Sequence, residues 1–464
     1  MNGINSMNES NVIHVPTIES TSQLVIEEIN VTENKVDCST RCAKWFRKFF
    51  MEGQVLDKEH TDAIKTLPHD ASWYRTALVK YRRFVGPAIS ATVVYFLWLA
   101  YMIKWNMWYL FVERYEMSVT MVFGSLIAGM TSVGGGVVAF PVMTLVVNVT
   151  PNIARDFSLM VQFCGMTSAS FVIYFMGIQV DWNSIIICSI GGVFGAIFGF
   201  EVVDQHLSPP RKKFTFTAFC FAFAFALFLL NRYRNRKTFL TVPYLNTWKG
   251  FVLFLTALVG GIFTALVGSG LDIVSFSVMT LLFRVTEKTA TPTSVILMGI
   301  NTAFATYWRS VIQYNASTDA FHYLLVCIPI VVIGAPMGSV IGSYLHRLVL
   351  ASFVYIITTA ALIGSFVVIR PLTPDLIGLA VGIVVGGGLI FFLLTLAGAK
   401  LLKQVEQIEE GKITMVDNGS VQSGVRTQKV FTVADNADPS VKNEHLNKGF
   451  QEKYYIDRTK CRNV

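Results

Sequence analysis

The chain has 464 residues, of which 53% are hydrophobic and only 15% charged, and its mean hydropathy is +0.52. Soluble domains carry about 25% charged residues, so this composition excludes an ordinary water-soluble fold and indicates a polytopic membrane protein. The formal charge of +8 lies mainly in tails and loops, where the preference of cytosolic loops for Lys and Arg accounts for it, and no nucleic-acid partner is expected.

Residues 1–83 begin polar and acidic (Glu19, Glu27, Glu28, Glu33) and then turn basic, with Trp45, Phe46, Phe49 and Phe50 set among Arg41, Lys44, Arg47 and Lys48. Two readings stay open for this N-terminal region: an amphipathic helix on an anionic leaflet, or a cytosolic tail. Cys38 and Cys42 are read as free thiols. No secretory signal is expected, because the first strongly apolar run begins only at Phe84. Residues 84–103 then form a first span of 20 uncharged residues, enough to cross a bilayer core of ~30 Å. Residues 117–154 contain no Asp, Glu, Lys or Arg, and further uncharged runs cover 157–180, 184–200, 214–230, 250–271, 289–308, 323–345, 348–369 and 376–399. Cys164, Cys188, Cys220 and Cys327 fall in these runs and are expected to act as small buried hydrophobes. Residues 400–464 are polar and read as a largely disordered cytosolic tail.

An internal repeat runs through the apolar part. Val142-Met143-Thr144-Leu145 recurs as Val278-Met279-Thr280-Leu281; Ala154 and Ser158 recur as Ala290 and Ser294, all at an offset of 136. Gly195-Ala196-Ile197-Phe198-Gly199 matches Gly334-Ala335-Pro336-Met337-Gly338. One unit covers 118–230 and the other 250–369, with an extra span at each end (84–103 and 376–399). The expected fold is therefore all-α. Each unit opens on a glycine cluster inside an apolar run, Ser132-Val133-Gly134-Gly135-Gly136 and Gly268-Ser269-Gly270. Glycine is a poor choice for a continuous helix, so each cluster marks a broken helix or a re-entrant hairpin. Full crossings make the repeats parallel, and hairpins make them inverted. The arm 118–133 is short for a span, which favours hairpins and inverted repeats. Loop charges do not decide, since each model leaves four or five basic residues on either side. Both models place the 309–321 loop, with its sequon Asn315-Ala316-Ser317, opposite the two tails.

Paired interruptions in the two halves of a chain point to a transporter's binding site. The arm after each break begins with amide hydrogens that lack an intrahelical partner, and the helix dipole adds partial positive charge. Two such ends facing each other would bind an anion without a buried Lys or Arg. The candidate substrate-binding residues are Thr131, Ser132, Gly134, Gly135, Gly136, Gln162, Gly268, Ser269, Gly270 and Asn301. Asp272, the only acid in 250–283, is read either as a coupling or gating carboxylate or as a cap of the helix start. Gly191, Gly192, Gly195, Gly199, Gly334 and Gly338 are read as packing glycines. Leucine at Gly135 or Gly270 is expected to stop flux and leave the fold intact.

The seven histidines show no ligand spacing, so no metal and no cofactor is expected. No His-Glu-x-x-His or Gly-x-Ser-x-Gly pattern is present, so no enzyme is expected. The expected partners are a small anion, the lipid bilayer, a coupling proton and a second copy of the chain. The function read from this constellation is secondary transport of small anions by alternating access. An anion channel, or a transport-inactive receptor or scaffold acting through the tails, stand as alternatives. The location is a membrane, with the plasma membrane and the endomembranes equally open.

Residues 124–158 and 259–294 resemble the TauE/SafE family, also called the sulfite exporter family. The resemblance is carried by "GSLIAGMTSVGGGVVAFPVMTLV", by "GGIFTALVGSGLDIVSFSVMTLL" and by the paired Gly-Ala-x-x-Gly elements, and it covers 118–397. It implies a duplicated transporter of sulfite or sulfur-containing organic anions, with protons as a coupling partner. Gly134–Gly136 fits the family pattern better than Gly268–Gly270. The N-terminal extension, first span and polar tail resemble additions to a compact core.

Overall fold

In a computed structural model the described residues are 72–131, 134–232, 237–345, 347–368, 373–417 and 430–432. The expectations for residues 1–71, and Ser132, lie outside them. Among the described residues, seven helices are long and apolar enough to cross a membrane. In chain order the main elements are α1 (Arg82–Trp105), α2 (Tyr115–Met130), α3 (Gly136–Pro141), α4 (Pro151–Met176), α5 (Trp182–Phe198) and α6 (Pro209–Arg232). A short strand β1 (Lys237–Phe239) precedes α7 (Thr247–Val267), α8 (Leu271–Ser277), α9 (Glu287–Tyr307), α10 (Thr318–Tyr344), α11 (Arg347–Val368) and α12 (Pro374–Asp417). The repeated Val-Met-Thr-Leu stretches adopt the same form in both units: each is a wide π turn, Val142–Val146 after α3 and Val278–Leu282 after α8. The final helix runs to Asp417, well past the expected end of the last span at 399, and Val430–Thr432 pairs antiparallel with β1.

Both glycine clusters reverse the chain. Gly135 lies beside Ala128 of α2, and Val138 of α3 lies beside Gly124, so α3 runs back along α2. Likewise the Leu271 amide donates to Thr264 Oγ1 of α7 at 3.1 Å, and Gly260 faces Leu271. Each unit thus opens with a helical hairpin.

Ion pairs show where the hairpins enter. Arg114, just before α2, pairs with Asp319 at the start of α10 (2.9 Å), and Arg309, just after α9, pairs with Asp156 at the start of α4 (3.0 Å). Arg155 and Lys212 share Asp204, joining the ends of α4, α5 and α6 on the same side. The first hairpin therefore opens on the face that carries the 313–317 loop, called here the loop face. On the opposite side Asp181, before α5, accepts from the Val242 amide (3.0 Å), and its own amide donates to Thr293 Oγ1 of α9 (3.0 Å). Phe239 exchanges backbone hydrogen bonds with Arg284 and Thr286 there, so the second hairpin opens on that side. Helix α1 runs antiparallel to α10, with Tyr95 donating to Pro329 O and Trp98 to Leu325 O. The start of α1 and the extension of α12 past Thr395, which is held by Arg284, share this second side, the tail face. The two hairpins enter from opposite faces.

The units interlock through glycine. Helix α2 packs on α10 of the other unit, and α7 packs on α5. A Cβ at Gly129 would overlap the Ala335 carbonyl, and one at Gly195 the Leu258 carbonyl; Ser339 donates to Gly129 O at 3.1 Å. Close backbone approach of this kind is what small residues provide where lipid supplies no hydrophobic drive between helices. Gly191, Gly199, Gly334 and Gly338 meet neighbouring helices in the same way. Lipid-facing positions such as Phe96, Leu97 and Ile103 of α1 are apolar and exposed.

Candidate functional site

The hairpin tips meet at Gln162. This residue is eleven positions into α4, a helix of 26 residues, which at 1.5 Å per residue places it ~16 Å from one end and ~21 Å from the other. Its amide nitrogen donates to Gly268 O at 2.9 Å. Gly136 sits between Gln162 and Ser269: an added Cβ would lie 3.1 Å from Ser269 Cβ and 3.5 Å from Gln162 Cδ. Gly134 faces Met298 of α9 and Gln162 Oε1. Gly134 and Gly268 hold φ of +71° and +84°, a left-handed conformation that glycine adopts without a Cβ clash, and it is at these residues that the chain turns. Gln162 Oε1 and Ser158 Oγ, both buried, have no hydrogen-bond partner among the described residues. Buried polar atoms are normally paired, and these two are left open where the hairpin tips meet.

The two breaks differ chemically. Among the described residues no side chain caps the start of α3, and the amides of Val138 and Ala139 turn to Gly135 O. With its π turn this arm is the continuous apolar helix Gly136–Val146, so the positive end of its dipole lies beside Gln162. The start of α8 is already filled. Asp272 accepts from the Gly270 amide (2.9 Å) and from Ser269 Oγ (3.2 Å to each oxygen). Thr264 takes the Leu271 amide. The cause is local sequence: two extra residues between Gly270 and Val278, relative to the first unit, admit an acid with no counterpart there. Asp272 is 1% exposed, and among the described residues no Lys, Arg or His pairs with it.

Other candidates move accordingly. The Ser269 hydroxyl is committed to Asp272, and the Thr131 hydroxyl donates to Ile127 O of its own helix (2.8 Å), so neither is a free donor. Gly270 faces Phe263, whose Cβ would lie 2.5 Å from an added Cβ; a large side chain there would wedge the hairpin apart, contrary to the expectation that leucine leaves the fold intact. Asn301 lies against Gly192 of α5 and Leu271 of α8, buried, with neither side-chain atom partnered among the described residues. Met298 and Ser158 were not among the sequence candidates. The repeat held a signal for Met298, since the offset of 136 places it at the position equivalent to Gln162.

Among the described residues the fold is that of a polytopic helical membrane protein in which two helical hairpins enter from opposite faces. The chain belongs to the TauE/SafE sulfite exporter family, whose model matches residues 117–369, more than half of its length. Members are membrane transporters of sulfite or related anions rather than enzymes, and this chain is an integral multi-pass membrane protein. Comparison with curated proteins and with solved structures gives no match.

Proposed function

We propose that the chain is a secondary transporter that moves sulfite or a sulfur-containing organic anion by alternating access at the site between the hairpins. The observation that carries this is the start of α3, which no side chain caps among the described residues, held against Gln162 and the second break near the middle of α4. Amide hydrogens and the helix dipole supply positive potential there without the cost of a buried Lys or Arg. Inverted hairpins meeting at one site suit a rocking mechanism, in which one unit moves against the other.

Asp272 is assigned the coupling role. An anion in the site would face its carboxylate across Ser269, and two like charges about 5 Å apart repel by roughly 3 kcal/mol at an effective dielectric near 20. Taking up a proton on Asp272 removes that repulsion, so proton and anion are bound together. The test is the purified protein in liposomes, offered sulfite, sulfate, thiosulfate, taurine and chloride with and without a pH gradient. Saturable flux with counterflow, driven by the gradient, supports the reading. Ohmic single-channel currents, or no flux of any of these anions, overturn it.

A further inference from the structure

The charges at the loop-face end of α4 form a network that crosses between the two units. Asp156, 1% exposed, accepts from Arg155 (Nη2, 3.0 Å), from Arg309 (Nε 3.1 Å, Nη2 3.0 Å) and from the Ser317 amide (3.1 Å). Arg155 continues to Asp204 at 2.6 Å, and Asp204 to Lys212. Arg309 also donates to Gln313 Oε1 and Asn315 O. Asp156, Arg155, Asp204 and Lys212 belong to the first unit; Arg309, Gln313, Asn315 and Ser317 belong to the second.

This network stands between the central site and the loop face. Asp156 is six residues before Gln162 on α4, about 9 Å along the helix, and the Arg155 carbonyl faces the Gly268 turn. A buried ion pair adds little net stability over an apolar pair of similar volume, and its best-attested use is in fixing one arrangement over another. The repeat gives this ion-pair network no charged counterpart on the other side, where Asp181 instead joins the units through the Val242 amide and Thr293 Oγ1. At an offset of 136, Arg155 and Asp156 correspond to Thr291 and Pro292, and Arg309 corresponds to Ile173. The equivalent positions near the tail face therefore carry no charge.

We propose that the Asp156–Arg309 network is a one-sided latch. It holds the loop face closed across the two units in the resting protein, and the central site exchanges first with the tail face. The idea rests on the central site proposed above for the route that the latch closes, but its main test needs no substrate. Ser158, between the latch and Gln162, is replaced by cysteine in the full chain, and its modification by a membrane-impermeant methanethiosulfonate is timed from each face of sealed vesicles. The unaltered chain measures the background from the native cysteines. Labelling from the tail face should be at least tenfold faster than from the loop face, and adding Arg309→Gln should raise loop-face labelling tenfold or more.

Should Arg309→Gln fail to fold, a second arm decides. Glu201 and Gln313, which bond at 2.7 Å across the units at the outer edge of the latch, are both changed to cysteine and joined by a short thiol cross-linker. The linked protein should lose flux and regain it when the linker is cleaved. Equal labelling from both faces, unchanged labelling in a folded Arg309→Gln variant, or full flux through the linked protein overturns the latch. One-sided labelling in a protein that moves none of the tested anions would retain the latch and remove the transport reading instead.

Discussion

Replacing Gly136 by alanine puts one methyl group into the proposed site and nowhere else. The new Cβ would lie 3.1 Å from Ser269 Cβ and would overlap Gln162 Nε2, the end of a flexible side chain. Gln162 must swing away, breaking its 2.9 Å bond to Gly268 O. A typical intramolecular hydrogen bond contributes about 0.5–1.5 kcal/mol, and alanine returns roughly 0.5–1 kcal/mol over glycine in a helix, so the variant should fold. A bound anion loses more: one hydrogen bond to a charged group is worth about 1.5–3 kcal/mol, roughly a 10- to 150-fold loss of affinity. The assay is the initial rate of sulfite uptake into proteoliposomes against concentration, with thermal melting in detergent run alongside. Gly135→Ala is the control, because its Cβ would meet only Ala128 and Met121 at 3.5 and 3.6 Å, ordinary contact distances. Unchanged uptake by a folded Gly136→Ala protein, or equal losses in both variants, would refute the placement of the site.

Further outcomes follow from the same geometry. Asp272→Asn keeps the hydrogen-bond geometry at the second break and removes the titrating group, so residual flux should no longer respond to a pH gradient; a response equal to that of the unaltered protein would remove Asp272 from coupling. Gly195→Val drives a side chain into the backbone of α7 at Leu258, and the overpacking should cost about 1–3 kcal/mol or more, read as a lowered melting temperature. Removing the residues after Asp417 leaves every membrane helix whole and should preserve flux, whereas a protein that acts through its tail would lose function. An epitope placed at Tyr314 should be reached from the side opposite to tags at the two ends of the chain, since the loop face and the tail face are separated by the helices.

The fold was legible wherever backbone geometry demands a particular residue. Gly134 and Gly268 stand at the two left-handed turns, the repeated Val-Met-Thr-Leu stretches form matching π turns, and the Gly-Ala-x-x-Gly elements sit where helices come closest. The way the hairpins face was not legible from loop charges, because counting Lys and Arg ignores which of them are paired. One pair, Arg309 with Asp156, 153 residues apart, places both loops on the same side, and no local pattern announces it. The chemistry of the second break was hidden for a similar reason. Asp272 and Ser269 are both polar candidates in the sequence, but their bond to one another, visible only in three dimensions, withdraws the hydroxyl from any ligand.

The interlocking of the two units bears on how the protein is made. Gly129 rests on Ala335, 206 positions later in the chain, and at a synthesis rate of roughly 5–20 residues per second the first waits about 10–40 s for the second to emerge. During that interval the opening hairpin resides in the bilayer without its permanent neighbour, its glycine-lined surface covered only by lipid or by the insertion machinery. Maturation of either half therefore depends on completion of the other, and a chain stopped after α6 would be left with an unmatched seam.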